Sequence, residues 1–174
     1  LPVLVWMGRP SCESAANVGV CFVYGVFPYI PQDPVELAKS LSKKYRSTFK
    51  PGPHSKPSNF VLAVFVVIAD TSEEAEEMAK PLDLWMLGKQ DFSEFHTFPT
   101  QKDVETYELT QRDQEKIESN RSRLIVGNPR EVYEQMEALR AVSNPDELLF
   151  IPLVGSIEKR KRSVELLAEL YKGE

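Results

Sequence analysis

Residues Phe60-Val61-Leu62-Ala63-Val64-Phe65-Val66-Val67-Ile68-Ala69 form a run without a polar side chain and without alternation. A strand with one wet face alternates apolar and polar residues. A continuous run rich in β-branched residues must be covered on both faces, as in a parallel sheet flanked by helices. The run is too short to span a bilayer.

The rest of the chain fits that requirement. Val3 to Met7 reads as a short buried strand broken by Gly8, and Val20 to Tyr24 as a second strand after Gly19. Leu148 to Ile151 reads as the last. Helices are expected between them: Ser11 to about Val18, from Asp33-Pro34 on, from Asp70-Thr71-Ser72-Glu73-Glu74 on, from Asn128-Pro129 on, and from Gly155-Ser156 to the end. Asp33 and Asn128 are caps, each followed by a proline suited to a first helical turn. Gly25 and Pro28 are expected to close the second strand. The third helix is expected to run to Lys80 and resume after Pro81. Leu37, Leu41 and Tyr45 mark one inner stripe, and Ile157, Val164, Leu167, Ala168 and Tyr171 another. Residues 90–123 read as an excursion: a long irregular loop to about Thr110, then a weak, solvent-facing helix from Gln111 to Asn120.

This succession, βα, βα, β–α–insertion–α, βα, predicts an α/β fold with parallel strands. About four βα units are half of an eight-stranded (βα) barrel of the TIM type. A length of 174 residues suits a single domain over 1–174. Leu1 in place of a start methionine suggests a sequence that begins partway through a protein. Half a barrel leaves open parallel edges, so the chain is expected to pair with a second copy or with a missing N-terminal half.

Composition narrows the function classes. The net charge is −5, and the basic run Lys159-Arg160-Lys161-Arg162 sits in an amphipathic helix pattern, where it reads as a solvated face. Nucleic acid and membrane partners are therefore not expected. Two cysteines, Cys12 and Cys21, read as free thiols of a reducing, cytoplasmic compartment. The scattered Cys12, Cys21, His54 and His96 make no metal-ligand pattern. His54 and His96 read as solvated loop residues, and Trp6, Trp85, Phe92, Phe95 and Phe98 as packing residues. Asp70, Glu73 and Glu74 read as first-turn charges.

One local feature suggests chemistry. A strand that ends at Gly8 and turns at once into a helix start, with Ser11 as cap and Glu13 in the first turn, aims backbone N–H groups at one point. That point is either a phosphate site or an ordinary βα turn.

Five stretches together resemble the luciferase-like flavin-dependent monooxygenases. They are Trp6-Met7-Gly8-Arg9-Pro10-Ser11-Cys12-Glu13-Ser14-Ala15-Ala16, Tyr45-Arg46-Ser47-Thr48-Phe49-Lys50-Pro51, and Phe60 to Ala69 with Asp70-Thr71-Ser72-Glu73-Glu74-Ala75. The fourth is Ile125-Val126-Gly127-Asn128-Pro129-Arg130-Glu131-Val132. The last pairs Asp146-Glu147-Leu148-Leu149 with Arg162-Ser163-Val164-Glu165-Leu166-Leu167-Ala168. The resemblance implies the C-terminal half of a (βα)8 barrel that binds FMN, reduced by a separate reductase, and uses O2 to oxidise a small organic substrate such as an aldehyde. It also implies that the excursion is a lid. A deazaflavin is the alternative cofactor. By position, Gly8, Ser11 and Ser14 fall near the flavin phosphate, with Arg9 and Cys12 beside them. Arg9 and Pro10 stand where many relatives have serines, and Pro10 has no N–H to offer. The same resemblance leaves the catalytic residues unassigned and the chain inactive alone, so its standing as an enzyme is open. The alternative is a non-catalytic flavin- or phosphate-binding half-barrel that acts through oligomerisation.

Overall fold

The computed structural model describes residues 4–6, 8–26, 33–52, 57–88 and 97–172. His54, Phe92, Phe95 and His96 lie outside the described residues, as do Val3 and Met7. In chain order the elements are β1 (Leu4–Trp6), α1 (Gly8–Val18), β2 (Cys21–Val26), α2 (Pro34–Thr48), β3 (Phe60–Ile68), α3 (Ser72–Trp85), α4 (Gln101–Thr106), α5 (Gln111–Arg121), β4 (Leu124–Gly127), α6 (Pro129–Ser143), β5 (Glu147–Pro152) and α7 (Ile157–Leu170). The chain divides into two compact units, Leu1–Val64 with Met136–Ile151, and Phe65–Gln135 with Pro152–Glu174.

In the first unit β1, β2 and the first half of β3 pair in parallel. Leu4 faces Cys21, Trp6 faces Val23, Phe22 faces Phe60 and Val26 faces Val64. Both faces of β2 and of this half of β3 are covered. Cys21, Val23, Val61 and Ala63 cluster on one face with Ile151. Phe22 and Phe60 point the other way, with ring centroids 5.8 and 6.4 Å from Tyr45 of α2. This two-sided burial is why the run has no polar residue to spare. Asp33 caps α2 as expected, accepting from the amides of Val35 and Glu36, and Leu37, Leu41 and Tyr45 are its buried stripe.

In the second unit the far half of β3 pairs in parallel with β4, Phe65 against Leu124 and Ile68 against Gly127. Val67, Ala69, Ala75, Met78, Ala79, Leu82, Leu124 and Val154 form its core. Asn128 caps α6, its Oδ1 accepting from the Glu131 amide at 3.1 Å. The expected α/β class holds, with parallel strands and the βα succession of part of a barrel.

Several local expectations differ from the structure. Helix α1 begins at Gly8, three residues before the expected cap, so Ser11 lies inside the helix and Glu13 in its second turn. β2 runs on through Gly25, which pairs with Ala63. β4 is a strand in its own right, giving five strands among the described residues where four were expected. α3 is unbroken, with Pro81 inside it.

Helix α4 stands in a stretch expected to be loop, because Thr100 and Asp103 cap each other's backbone at its start. The inner face of α7 is Ser163, Leu166 and Leu167, whereas Ile157 and Val164 are 78% and 52% exposed. Ser163 occupies that face because its hydroxyl is within 3.0 Å of both the Ile68 and Lys159 carbonyls. A pattern that counts serine as polar turns the helix the wrong way. Among the described residues no helix is long and apolar enough to cross a membrane.

Candidate cofactor site

Strand β1 ends at Trp6, and α1 starts two residues later at Gly8. A helix leaves its first N–H groups without intrahelical acceptors, and its dipole puts partial positive charge there. Among the described helices, an acid stands in the first turn of every one but α1. Glu36 does so in α2, Glu73 and Glu74 in α3, Asp103 in α4, Asp113 in α5, Glu131 in α6 and Glu158 in α7. The first turn of α1 contains no acid. Glu13, the nearest acid along the helix, pairs with Lys44 of α2 at 3.3 Å.

The start of α6 shows what a self-satisfied pole looks like. Its Glu131 carboxylate accepts from the Asn128 amide at 2.9 Å and from the Ser72 hydroxyl at 2.8 Å, and Asn128 Nδ2 donates to Ser72 Oγ at 2.9 Å. These bonds hold the Glu131 carboxyl below the usual range. Gly127 has a φ of 155°, and a Cβ there would lie 2.6 Å from Glu131 Oε2. Sequence reading identified Asn128 and Pro129 but missed this network. Its signal was the N-x-x-E spacing of a capping box.

The five residues assigned by position behave differently. Gly8 and Arg9 open α1, whose first turn has no acid, and both have backbone N–H groups; Pro10, next, has none. Ser11 is half-buried one turn in. Ser14 is exposed, but its hydroxyl donates to the Pro10 carbonyl at 3.0 Å. The Cys12 side chain is fully buried, its thiol 3.6 Å from the Leu41 carbonyl of α2, and burial pushes its pKa up. Cys12 therefore faces the packed side of α1, opposite in character to a reactive thiolate.

Other candidates are structural. Asp70 pairs with Arg162, whose guanidinium bonds hold that carboxyl below its usual range. Glu74 lies 3.7 Å from Lys159. Trp85 packs edge-on against Phe98, with centroids 5.1 Å apart. No group of three metal-ligating side chains occurs among the described residues. The second unit holds a cavity of about 730 Å³ whose walls include Met78, Pro81, Phe98, Val154 and Gly155. Of the polar groups at its rim, Glu77 is held by Gln101 and Lys80, and Lys159 by Glu74.

The decisive comparison is with protein families. Residues 2–143 match the profile of the luciferase-like monooxygenases. The chain belongs to the luciferase-like monooxygenase family. Among relatives of this luciferase-like chain, the uncharacterized protein YceB of Bacillus subtilis (strain 168) is 33% identical over 167 residues, covering 95% of the chain and 48% of YceB.

Among solved structures, apo-MsnO8 superposes with a TM-score of 0.79 at 23% identity, over 98% of the chain and 51% of MsnO8. The coenzyme F420-dependent tetrahydromethanopterin reductase of Methanopyrus kandleri gives a TM-score of 0.58 at 15% identity, over 94% of the chain and 49% of the reductase. These likenesses bear on the fold, which is that of part of a luciferase-like (βα) barrel. The chain spans about half the length of the relatives it matches.

Proposed function

We propose that this chain provides the phosphate-holding part of a reduced-flavin site in a flavin-dependent monooxygenase that oxidises a small organic substrate, such as an aldehyde. The observation that carries the reading is the first turn of α1, the one helix start among the described residues without an acid. An anion of one to two charges fits there for the reason that acids fit the other six starts. The Gly8 and Arg9 amides would hold phosphate oxygens, with the Ser11 hydroxyl one turn behind them. Cys12, packed against Leu41, fixes the angle at which the helix presents those amides. Ser14 contributes through its bond to Pro10 and not as a direct ligand.

When bound, reduced flavin supplies the electrons for reaction with O2; the protein's part is to orient and shield it. Such a pole reads the phosphate and not the ring system. It therefore suits FMN and, equally, a phosphate-bearing deazaflavin of the kind named for the Methanopyrus reductase.

The test is a binding titration with FMN, riboflavin and inorganic phosphate, followed by assay of the carboxylic acid formed from a long-chain aldehyde in the presence of reduced FMN and O2. FMN should bind at least ten times more tightly than riboflavin, which lacks the phosphate, and phosphate should compete. Equal binding of FMN and riboflavin would overturn the assignment. Phosphate-dependent binding without oxidation of the aldehyde would leave a flavin binder instead of an oxygenase.

A further inference from the structure

Helix α7 carries a second row of residues besides its buried one. Ser163, Leu166 and Leu167 are the buried side. Ile157 and Val164, 78% and 52% exposed, lie seven residues apart, two turns along one side of the helix. Lys161 and Ala168, both exposed, complete that row at spacings of four, three and four. Single exposed apolar residues are ordinary on a protein surface. A row at this spacing is the pattern by which one helix packs along another.

Charge decides what kind of helix fits the row. The first half of α7 carries Lys159, Arg160, Lys161 and Arg162, and the second half carries Glu165 and Glu169, with no basic residue in the last turn. A helix dipole favours the opposite order, acids first and bases last. The body of the protein engages three of the four cations. Lys159 lies 3.7 Å from Glu74, Arg160 donates to the Val154 carbonyl at 2.8 Å, and Arg162 forks onto Asp70 and lies 3.5 Å from Glu165. Lys161, in the middle of the row, has no hydrogen bond or ion pair among the described residues.

A helix of the same sequence, running antiparallel, complements this order end to end. Its acidic half meets the basic half of the first, and the two helix dipoles oppose each other. Setting Ile157 opposite Ala168 of the second copy brings Lys161 opposite that copy's Val164 and next to its Glu165. The two-fold axis repeats the contact.

We propose that this side of α7 is the contact between two copies of the chain, packed antiparallel about a two-fold axis. The helix has 14 residues, about 21 Å. One helix face of that length buries less than the roughly 800 Å² per partner of a standard interface, so the pairing is weak and concentration-dependent. It uses a helix face and not the open edges of the sheet, and it holds whichever cofactor the protein binds.

Sedimentation velocity on the whole chain over about 10 to 500 µM tests it. The weight-average sedimentation coefficient should rise with concentration from the monomer value toward the dimer value. Lys161→Glu and Glu165→Lys should each weaken association by about tenfold or more, because each sets like charges together twice per dimer. An equimolar mixture of the two variants should associate again, to within about threefold of the unmodified chain, since opposite charges then meet at both contacts. A chain that stays monomeric across the range, as it would if another part of a complete barrel covered this side, overturns the proposal. So does a dimer that both variants form unchanged, which places the contact elsewhere, or a mixture that associates no better than its components.

Discussion

The hydroxyl of Tyr45 donates to the Val20 carbonyl at 2.7 Å and accepts from the Asn59 amide at 3.3 Å. One side chain of α2 thus ties down the entries to β2 and β3. Its ring fills the space between Phe22, Phe49 and Phe60. Tyr45→Phe keeps the ring and removes the hydroxyl, leaving the Val20 carbonyl and the Asn59 amide without that partner. A loss of about 1–2 kcal/mol is expected. Urea unfolding of the variant at unchanged m-value measures it.

Gly19 has a φ of 71°, and a Cβ there would stand 2.3 Å from the Lys50 carbonyl oxygen and 2.5 Å from the Gly52 amide nitrogen. Both are backbone atoms, and Lys50 N already donates to the Ala16 carbonyl at 2.8 Å. Gly19→Ala combines left-handed strain with a clash that no side-chain rotation relieves. It should cost more than about 2 kcal/mol, visible as a lowered unfolding midpoint.

Cys21 reports on alkaline stability. Burial, then the carboxylates of Glu147 and Asp146, push its thiol from 9.0 up to about 11. The folded protein holds this proton more tightly than the unfolded chain does. The associated stability is complete below pH 9 and is lost as pH rises through 11, on the order of 2 kcal/mol in all. Unfolding curves between pH 8 and 11 should therefore fall more steeply for the native protein than for Cys21→Ala. The native thiol should also resist iodoacetamide at pH 8 until denaturant is added.

Arg9→Glu puts an acid at the second position of α1, where α3 has Glu73 and α7 has Glu158. The free protein should gain about 0.3–1 kcal/mol from the helix dipole. FMN binding should weaken at least tenfold, because the new carboxylate occupies the pole and repels the phosphate. Opposite signs in a melting experiment and a flavin titration are the expected signature. Unchanged FMN affinity would show that the phosphate sits elsewhere.

The sequence by itself determined the two-sided burial of Phe60 to Ile68, since a strand with no polar residue has no face to give to water. It also determined the caps at Asp33 and Asn128, which act on amides two or three residues away and need no tertiary partner. The strand-to-helix turn at Gly8 was legible for the same reason, although its cap was placed three residues late and its freedom from acid was hidden by that shift.

Tertiary structure decided the rest. Ser163 became an inner residue because the Ile68 carbonyl met its hydroxyl. Cys12 turned toward Leu41 because α2 packs there. α5 gained a polar dock because Asp83, Met86 and Leu87 lie together at the end of α3. In each case a polar group was buried against a partner distant in sequence, and hydrophobic periodicity carries no information about such partners.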